Sequence, residues 1–220
     1  GHDELLLTCD WTTGKIYNDK VSEKGASYSL KESVYMNLPR AIDIDVDGSG
    51  NLFVCDWRGG RFKFAGKGKK VGMVQKLTKN GLKGQPFPEL RGMSTSELVL
   101  QLKSPSAVRR LEVQRVLLAK AETGSIKPLT ILVKDSRLSI ESRIAAIFTL
   151  SQMKEMTADQ FLQIFAKDWK DLKEIQQYLT RAAGDLSGEI SSDALSLVEG
   201  ALQSGDERTR LQAVVFLMRI

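Results

Sequence analysis

Residues 43–57 read DIDVDGSGNLFVCDW: three aspartates alternate with apolar residues, a glycine-rich turn follows, and an apolar run ends in Cys-Asp-Trp. Two readings compete. An EF-hand calcium loop takes side-chain oxygens at its first, third and fifth positions, glycine at the sixth and a bidentate glutamate at the twelfth. Asp43, Asp45, Asp47 and Gly48 satisfy the first half. The twelfth position is Val54, which offers no side-chain oxygen, and the eighth is Gly50, where an apolar residue should pack. An EF-hand is therefore disfavoured, and a looser calcium site on Asp43, Asp45 and Asp47 is the remaining metal candidate. The strand reading fits better. Ile42, Ile44 and Val46 share one face and the aspartates the other, the period-two signal of a half-buried strand. Asp47-Gly48 and Gly50-Asn51 supply turn chemistry, and Leu52–Val54 opens a second strand.

Working outward, the same unit occurs twice. LLTCDWTTGKIY (Leu6–Tyr17) matches LFVCDWRGGRFK (Leu52–Lys63): Cys-Asp-Trp recurs, glycine stands three residues after tryptophan, and a basic residue follows it. The offset, Cys9 to Cys55, is 46 residues. A period of this size with several short strands per unit is the signature of propeller blades. Leu6–Thr8 and Leu52–Val54 are expected as inner strands. Gly14 and Gly60 are expected in hairpin turns leading to strands at Lys15–Tyr17 and Arg61–Phe64, and Val71–Leu77 as the last strand of the second blade. Trp11 and Trp57 are expected to pack between blades, and Asp10 and Asp56 to accept backbone hydrogen bonds at strand ends.

Glycine marks the division of the chain. Of 18 glycines in the 220 residues, 13 fall in residues 1–92 and 5 in residues 93–220. Such segregation predicts an all-β domain, 1–92, followed by an all-α domain, 93–220. The joint falls near KGQPFPELRGMSTSEL, where Pro86 and Pro88 interrupt regular structure.

The second part also repeats. AVRRLEVQRVLL (Ala107–Leu118), IESRIAAIFTLS (Ile140–Ser151) and ERTRLQAVVFLM (Glu207–Met218) align, with Arg110, Arg143 and Arg210 in one column. Leu111, Ile144 and Leu211 follow, then Val113, Ala146 and Ala213, then Leu117, Leu150 and Leu217. The arginines are spaced by 33 and 67 residues, one and two periods, with a degenerate copy near Ile175–Ala183. Each copy is preceded by another helix. Capping patterns at Ser94 or Thr95 before Glu97, at Thr157 and at Ser192 mark starts of such helices. The expected architecture is an α-solenoid of helical hairpins resembling HEAT repeats, with the column arginines bonded to neighbouring turns and acidic residues. VVFLMRI ends within a helical pattern without a C-cap, which suggests truncation.

The segment PRAIDIDVDGSGNLFVCDW (Pro39–Trp57) resembles the blade motif of NHL-type and sugar-dehydrogenase-like propellers, with Cys55 where alanine is frequent. Together with the helical repeats behind it, the chain resembles the "membrane-bound dehydrogenase" proteins of planctomycete-type bacteria. Those carry a propeller, then HEAT-like repeats, then a c-type haem domain. The resemblance covers most of the chain and implies a periplasmic or exported parent protein. It also implies missing blades, because two cannot close a ring. Propellers of this type use histidine and arginine near the channel; the single histidine here is His2, so no catalytic residue is carried over.

Other chemistry is sparse. One histidine leaves no Ser-His-Asp, Cys-His or multi-histidine metal site within the chain. Cys9 and Cys55 form no CxxC pair, so neither zinc nor covalent haem is indicated, and they read as buried free thiols rather than a bridge. AGKGKK (Ala65–Lys70) lacks the Ser or Thr of a phosphate loop and reads as a solvated hairpin. DWKDLKE (Asp168–Glu174) reads as a solvent-facing mixed-charge helix. No apolar run is long enough to span a bilayer, and the opening GHDELLLTCD has no signal-peptide pattern. A net charge of +5 is modest and gives no ground for nucleic-acid binding. The leading expectation is a non-catalytic scaffold that binds other proteins or the missing blades. The alternative is the middle of a sugar or alcohol oxidoreductase passing electrons to a c-type haem outside this chain.

Overall fold

The computed structural model describes residues 6–57, 72–78, 81 and 84–220. The chain divides after Pro88, the hairpin tip Gly25–Ser27 set aside, into a β unit and an α unit.

In the β unit, Cys-Asp stands at or next to the end of a strand both times, with the tryptophan in the turn after the first strand and as the last residue of the later one. β1 (Leu6–Asp10) runs into a turn closed by the Gly14 N–H on the Asp10 carbonyl at 3.0 Å, and Gly14 takes φ +67°, a conformation natural to glycine. β2 (Lys15–Lys24) returns antiparallel, Cys9 opposite Ile16, and β3 (Ser27–Asn37) completes a sheet of order β1-β2-β3. β2 and β3 are 10 and 11 residues long, well beyond the three residues read at Lys15–Tyr17. The second sheet is β4 (Ala41–Val46), β5 (Leu52–Trp57) and β6 (Gly72–Leu77), in that order. The predicted strand–turn–strand at its start is present: Ile44 lies opposite Val54 and Val46 opposite Leu52. One residue departs from the alternation. The ladder skips from Ala41 to Asp43, so Ile42 is the extra residue of a bulge and is 55% exposed, while Ala41 takes the buried place. Gly60 and Arg61–Phe64 lie outside the described residues. Ile16, Leu38, Ala41 and Val54 form the small core, with Leu7, Cys9, Met36, Ile44 and Leu77 packed around it.

The α unit contains eight helices among the described residues, α1 (Thr95–Gln101), α2 (Ala107–Lys120), α3 (Ile126–Lys134), α4 (Ile140–Ser151), α5 (Ala158–Phe165), α6 (Gln176–Gly184), α7 (Ser192–Ala201) and α8 (Glu207–Leu217). They pack in four consecutive pairs, α1 with α2 through α7 with α8, and the even helices pack in succession, α2 on α4, α4 on α6, α6 on α8. The starts are chemically specified. Ser94 with Glu97 and Thr157 with Gln160 form reciprocal capping boxes. The cap of α7 is Ser191, one residue before the expected Ser192, because Ser191 Oγ accepts the Ala194 N–H. One continuous apolar core runs from Leu90 to Phe216.

Asp168–Glu174 is not a simple exposed helix. It lies in two 3-10 turns, Ala166–Asp171 and Lys173–Ile175, with Trp169 and Leu172 buried, Asp168 paired to Lys134 at 2.6 Å and Glu174 to Arg143 at 2.6 Å. Two buried apolar residues standing among charges were read as part of a polar face because the 3.6-residue period does not apply in a 3-10 turn.

Candidate functional site

The repeat column is the best-defined side-chain arrangement in the α unit. Arg110 Nη1 donates to the carbonyls of Ser104 at 2.7 Å and Pro105 at 2.9 Å. Arg210 Nη1 donates to the Ser204 carbonyl at 2.6 Å. Arg143 is 2% exposed; its Nε donates to the Val133 carbonyl at 2.9 Å and its Nη1 to Glu174. The degenerate copy completes the series: one period beyond Arg143 stands Gln176, whose Nε2 donates to the Trp169 carbonyl at 2.6 Å. In every copy the second helix of the pair ties down the end of the segment before it. These side chains donate to main-chain carbonyls at the turns and segment ends just before each second helix, a structural task rather than a ligand-binding one.

In the β unit, both aspartates of the twin tripeptides accept hydrogen bonds at strand ends, as expected. Asp10 takes the N–H groups of Thr12 and Thr13 and the Thr13 hydroxyl, at 2.8, 3.0 and 2.7 Å. These bonds, the Thr13 N–H and hydroxyl foremost, hold its carboxyl below the usual range. Asp56 is buried and takes the Met73 N–H at 3.1 Å and the Gln75 amide at 2.6 Å. Trp11 is 41% exposed in its turn, with the Arg40 guanidinium 5.5 Å from its ring centroid, rather than enclosed as expected. The Trp57 main-chain N–H donates to the Arg40 carbonyl at 3.0 Å.

The calcium candidates are separated by role. Asp47 is a turn residue: Oδ1 accepts the N–H groups of Ser49 and Asn51 at 2.9 and 2.8 Å, and Oδ2 the Asn51 amide at 2.7 Å. Burial pushes its carboxyl up, but the Asn51 and Ser49 hydrogen bonds outweigh it and hold it below the usual range. Asp43 and Asp45 lie on β4, opposite Cys55 and Phe53. Among the described residues, no group of three or more His, Cys, Asp and Glu side chains has metal-binding geometry.

Cys9 and Cys55 are free and half-buried. Burial, and next the charge of Asp43, push the Cys9 thiol up, away from the reactive thiolate form. His2 and Ala65–Lys70 lie outside the described residues. Between α6 and α8 lies a cavity of about 190 Å³ lined by Thr180, Arg181, Gly184, Gln212 and Phe216. At its rim Arg219 donates to the Gly184 carbonyl at 2.9 Å and pairs with the Asp185 carboxylate, so its charges serve each other. No described helix is long and apolar enough to cross a membrane.

What stands out on the surfaces is apolar. On β3, Tyr28, Leu30 and Val34 fall on one face at alternate positions and are 53%, 61% and 51% exposed. On α8 and its C-cap, Leu211, Val214 and Met218 form a stripe at helical spacing, 43%, 45% and 81% exposed. Sequence reading missed the first: β3 was not assigned, although YSLKESVYM alternates in the strand period except at Glu32. It placed Leu211 in a repeat column but could not tell a core position from an open one. No family model matches the chain, and no curated protein or solved structure matches it.

Proposed function

We propose that this chain is a non-catalytic scaffold and protein-interaction segment of a larger exported protein. Its β unit is read as two propeller-type blades and its α unit as a HEAT-like solenoid. The observation that carries this reading is the pair of ordered apolar stripes, Tyr28, Leu30 and Val34 on β3 and Leu211, Val214 and Met218 on α8 and its C-cap. Exposed apolar residues scattered singly are ordinary, whereas aligned ones suit contact with another polypeptide. The solenoid reading is supported by the column Arg110, Arg143, Gln176 and Arg210, which recurs in all four helical pairs. The blade reading is supported by equivalent strands at an offset of 46 residues, β1 and β5, each carrying Cys-Asp near its end with a hydrogen-bonded aspartate. Export follows from the family resemblance.

The test is a dye-linked oxidation assay of the purified chain with a panel of sugars and alcohols. No turnover above the buffer control is expected. Turnover that scales with protein concentration overturns the scaffold reading in favour of an oxidoreductase segment.

A further inference from the structure

The two sheets share one equivalent strand, which is flanked differently in each among the described residues. The offset of 46 residues maps Leu6–Asp10 onto Leu52–Asp56, so β1 and β5 are the same strand of the unit. β5 is the middle strand of its sheet, with β4 on one side and β6 on the other. β1 is an edge: its ladder partner is β2, and its other side carries no strand among the described residues. β1 does touch β4, through the core to which Leu7 and Cys9 contribute, without a ladder between the two. An unpaired edge presents N–H and C=O groups that seek a strand.

We infer that the edge of β1 that carries no strand among the described residues is a strand-accepting site whose occupant is an antiparallel segment with the apolar–acidic alternation of β4, supplied from outside the described residues by a further sheet of the same kind. The register follows from the repeat. On β5, Val46 faces Leu52, Asp45 faces Phe53, Ile44 faces Val54 and Asp43 faces Cys55. Transferred to β1, the corresponding residues of the occupant face Leu6, Leu7, Thr8 and Cys9. Main-chain hydrogen bonds supply affinity and the alternating side chains supply register, as in other strand additions. This rests on reading the two sheets as equivalent blades, but not on the absence of turnover, so the dye-linked assay and the test below fail separately.

The probe is a synthetic peptide of residues 38–48 carrying Asp43→Cys, its thiol activated as a mixed disulfide with thionitrobenzoate. Attack by a protein thiolate breaks that disulfide, forms a peptide–protein disulfide and releases the coloured thionitrobenzoate, so no further oxidant is needed. The expected result is one adduct per chain on Cys9, at least tenfold faster than with an Ile44→Cys peptide, whose thiol faces the opposite side. Cys9→Ser should abolish the fast adduct and Cys55→Ser should leave it. A fluorescent cysteine-free peptide of the same residues should bind saturably to the unsubstituted chain. Three outcomes overturn the inference: equal rates for the two peptides, a fast adduct that persists in Cys9→Ser (the peptide has displaced β4 from β5), or chains already dimerised through Cys9, which would assign the edge to a second copy.

Discussion

Gln176 donates its side-chain amide to the Trp169 carbonyl at 2.6 Å, and so fills the place that arginine holds in the other three copies of the helical repeat. The chemistry is retained although the residue changes: a buried main-chain oxygen receives a donor from the first turn of the following helix. Gln176 is 7% exposed, so Gln176→Leu keeps the volume and leaves the oxygen only the longer bond from the Leu172 N–H at 3.4 Å. A cost of about 1 kcal/mol is expected. It should appear as a lower urea midpoint for the α unit at unchanged slope.

Arg143 and Glu174 form an unequal pair. The arginine side chain is 3% exposed and the glutamate 63%. Glu174→Gln should therefore cost little, within about 1 kcal/mol, as for other solvent-facing ion pairs. Arg143→Met removes the donor to Val133 and should cost roughly 3 kcal/mol, since a buried carbonyl loses its partner. Arg143→Lys should not rescue it, because one ammonium cannot reproduce the guanidinium fork that spans Val133 and Glu174. Thermal melts of the three variants check the ranking; equal losses for Glu174→Gln and Arg143→Met would contradict it.

How far these features were legible from sequence depends on the range of the interactions. The tripeptide repeat, the β4–β5 hairpin and the capping boxes at Ser94 and Thr157 are local, and their residues announce them. The arginine column was legible as a pattern, and its role followed from the need of turns for donors. Gln176 was not, since a glutamine at one period carries no signal until its partner carbonyl is seen. The bulge at Ile42 was hidden because alternation alone does not record where one strand gains a residue over its neighbour. The exposed state of Leu211, Val214 and Met218 was hidden for another reason: a repeat pattern specifies which face is apolar, not whether a neighbour covers it.

The β4–β5 turn offers a separate test of the calcium question. Asp47 uses both carboxylate oxygens within the turn, and Gly50 holds φ +83°. Asp47→Ala should cost about 1–3 kcal/mol through three lost hydrogen bonds, and Gly50→Ala about 1–2 kcal/mol through left-handed strain. Calorimetry of the unsubstituted chain with and without chelator should give the same melting temperature. A fall on chelation would mean that calcium binds the folded state, with Asp43, Asp45 and Asp47 the candidate ligands.

Acid stability should follow the capping carboxylates. Burial raises Asp206, but its bonds from the Thr209 hydroxyl at 2.7 Å and the Thr209 N–H at 2.9 Å prevail and hold it below the usual range. Asp10 and Asp159 are lowered as well, the first chiefly by Thr13 and the second by Ser191. A carboxyl depressed in the folded state stabilises fully above its unfolded pKa, about 4, and loses that contribution as pH falls through the lower folded value. Stability should thus be flat in this respect from neutral pH to about pH 5 and decline below about pH 4. Asp206→Asn retains an N-cap but cannot ionise, so it should be only slightly less stable at pH 7 and show a shallower acid decline. Urea unfolding of both chains at pH 7, 5, 4 and 3 measures the difference; parallel curves would show that Asp206 does not contribute to the acid limb.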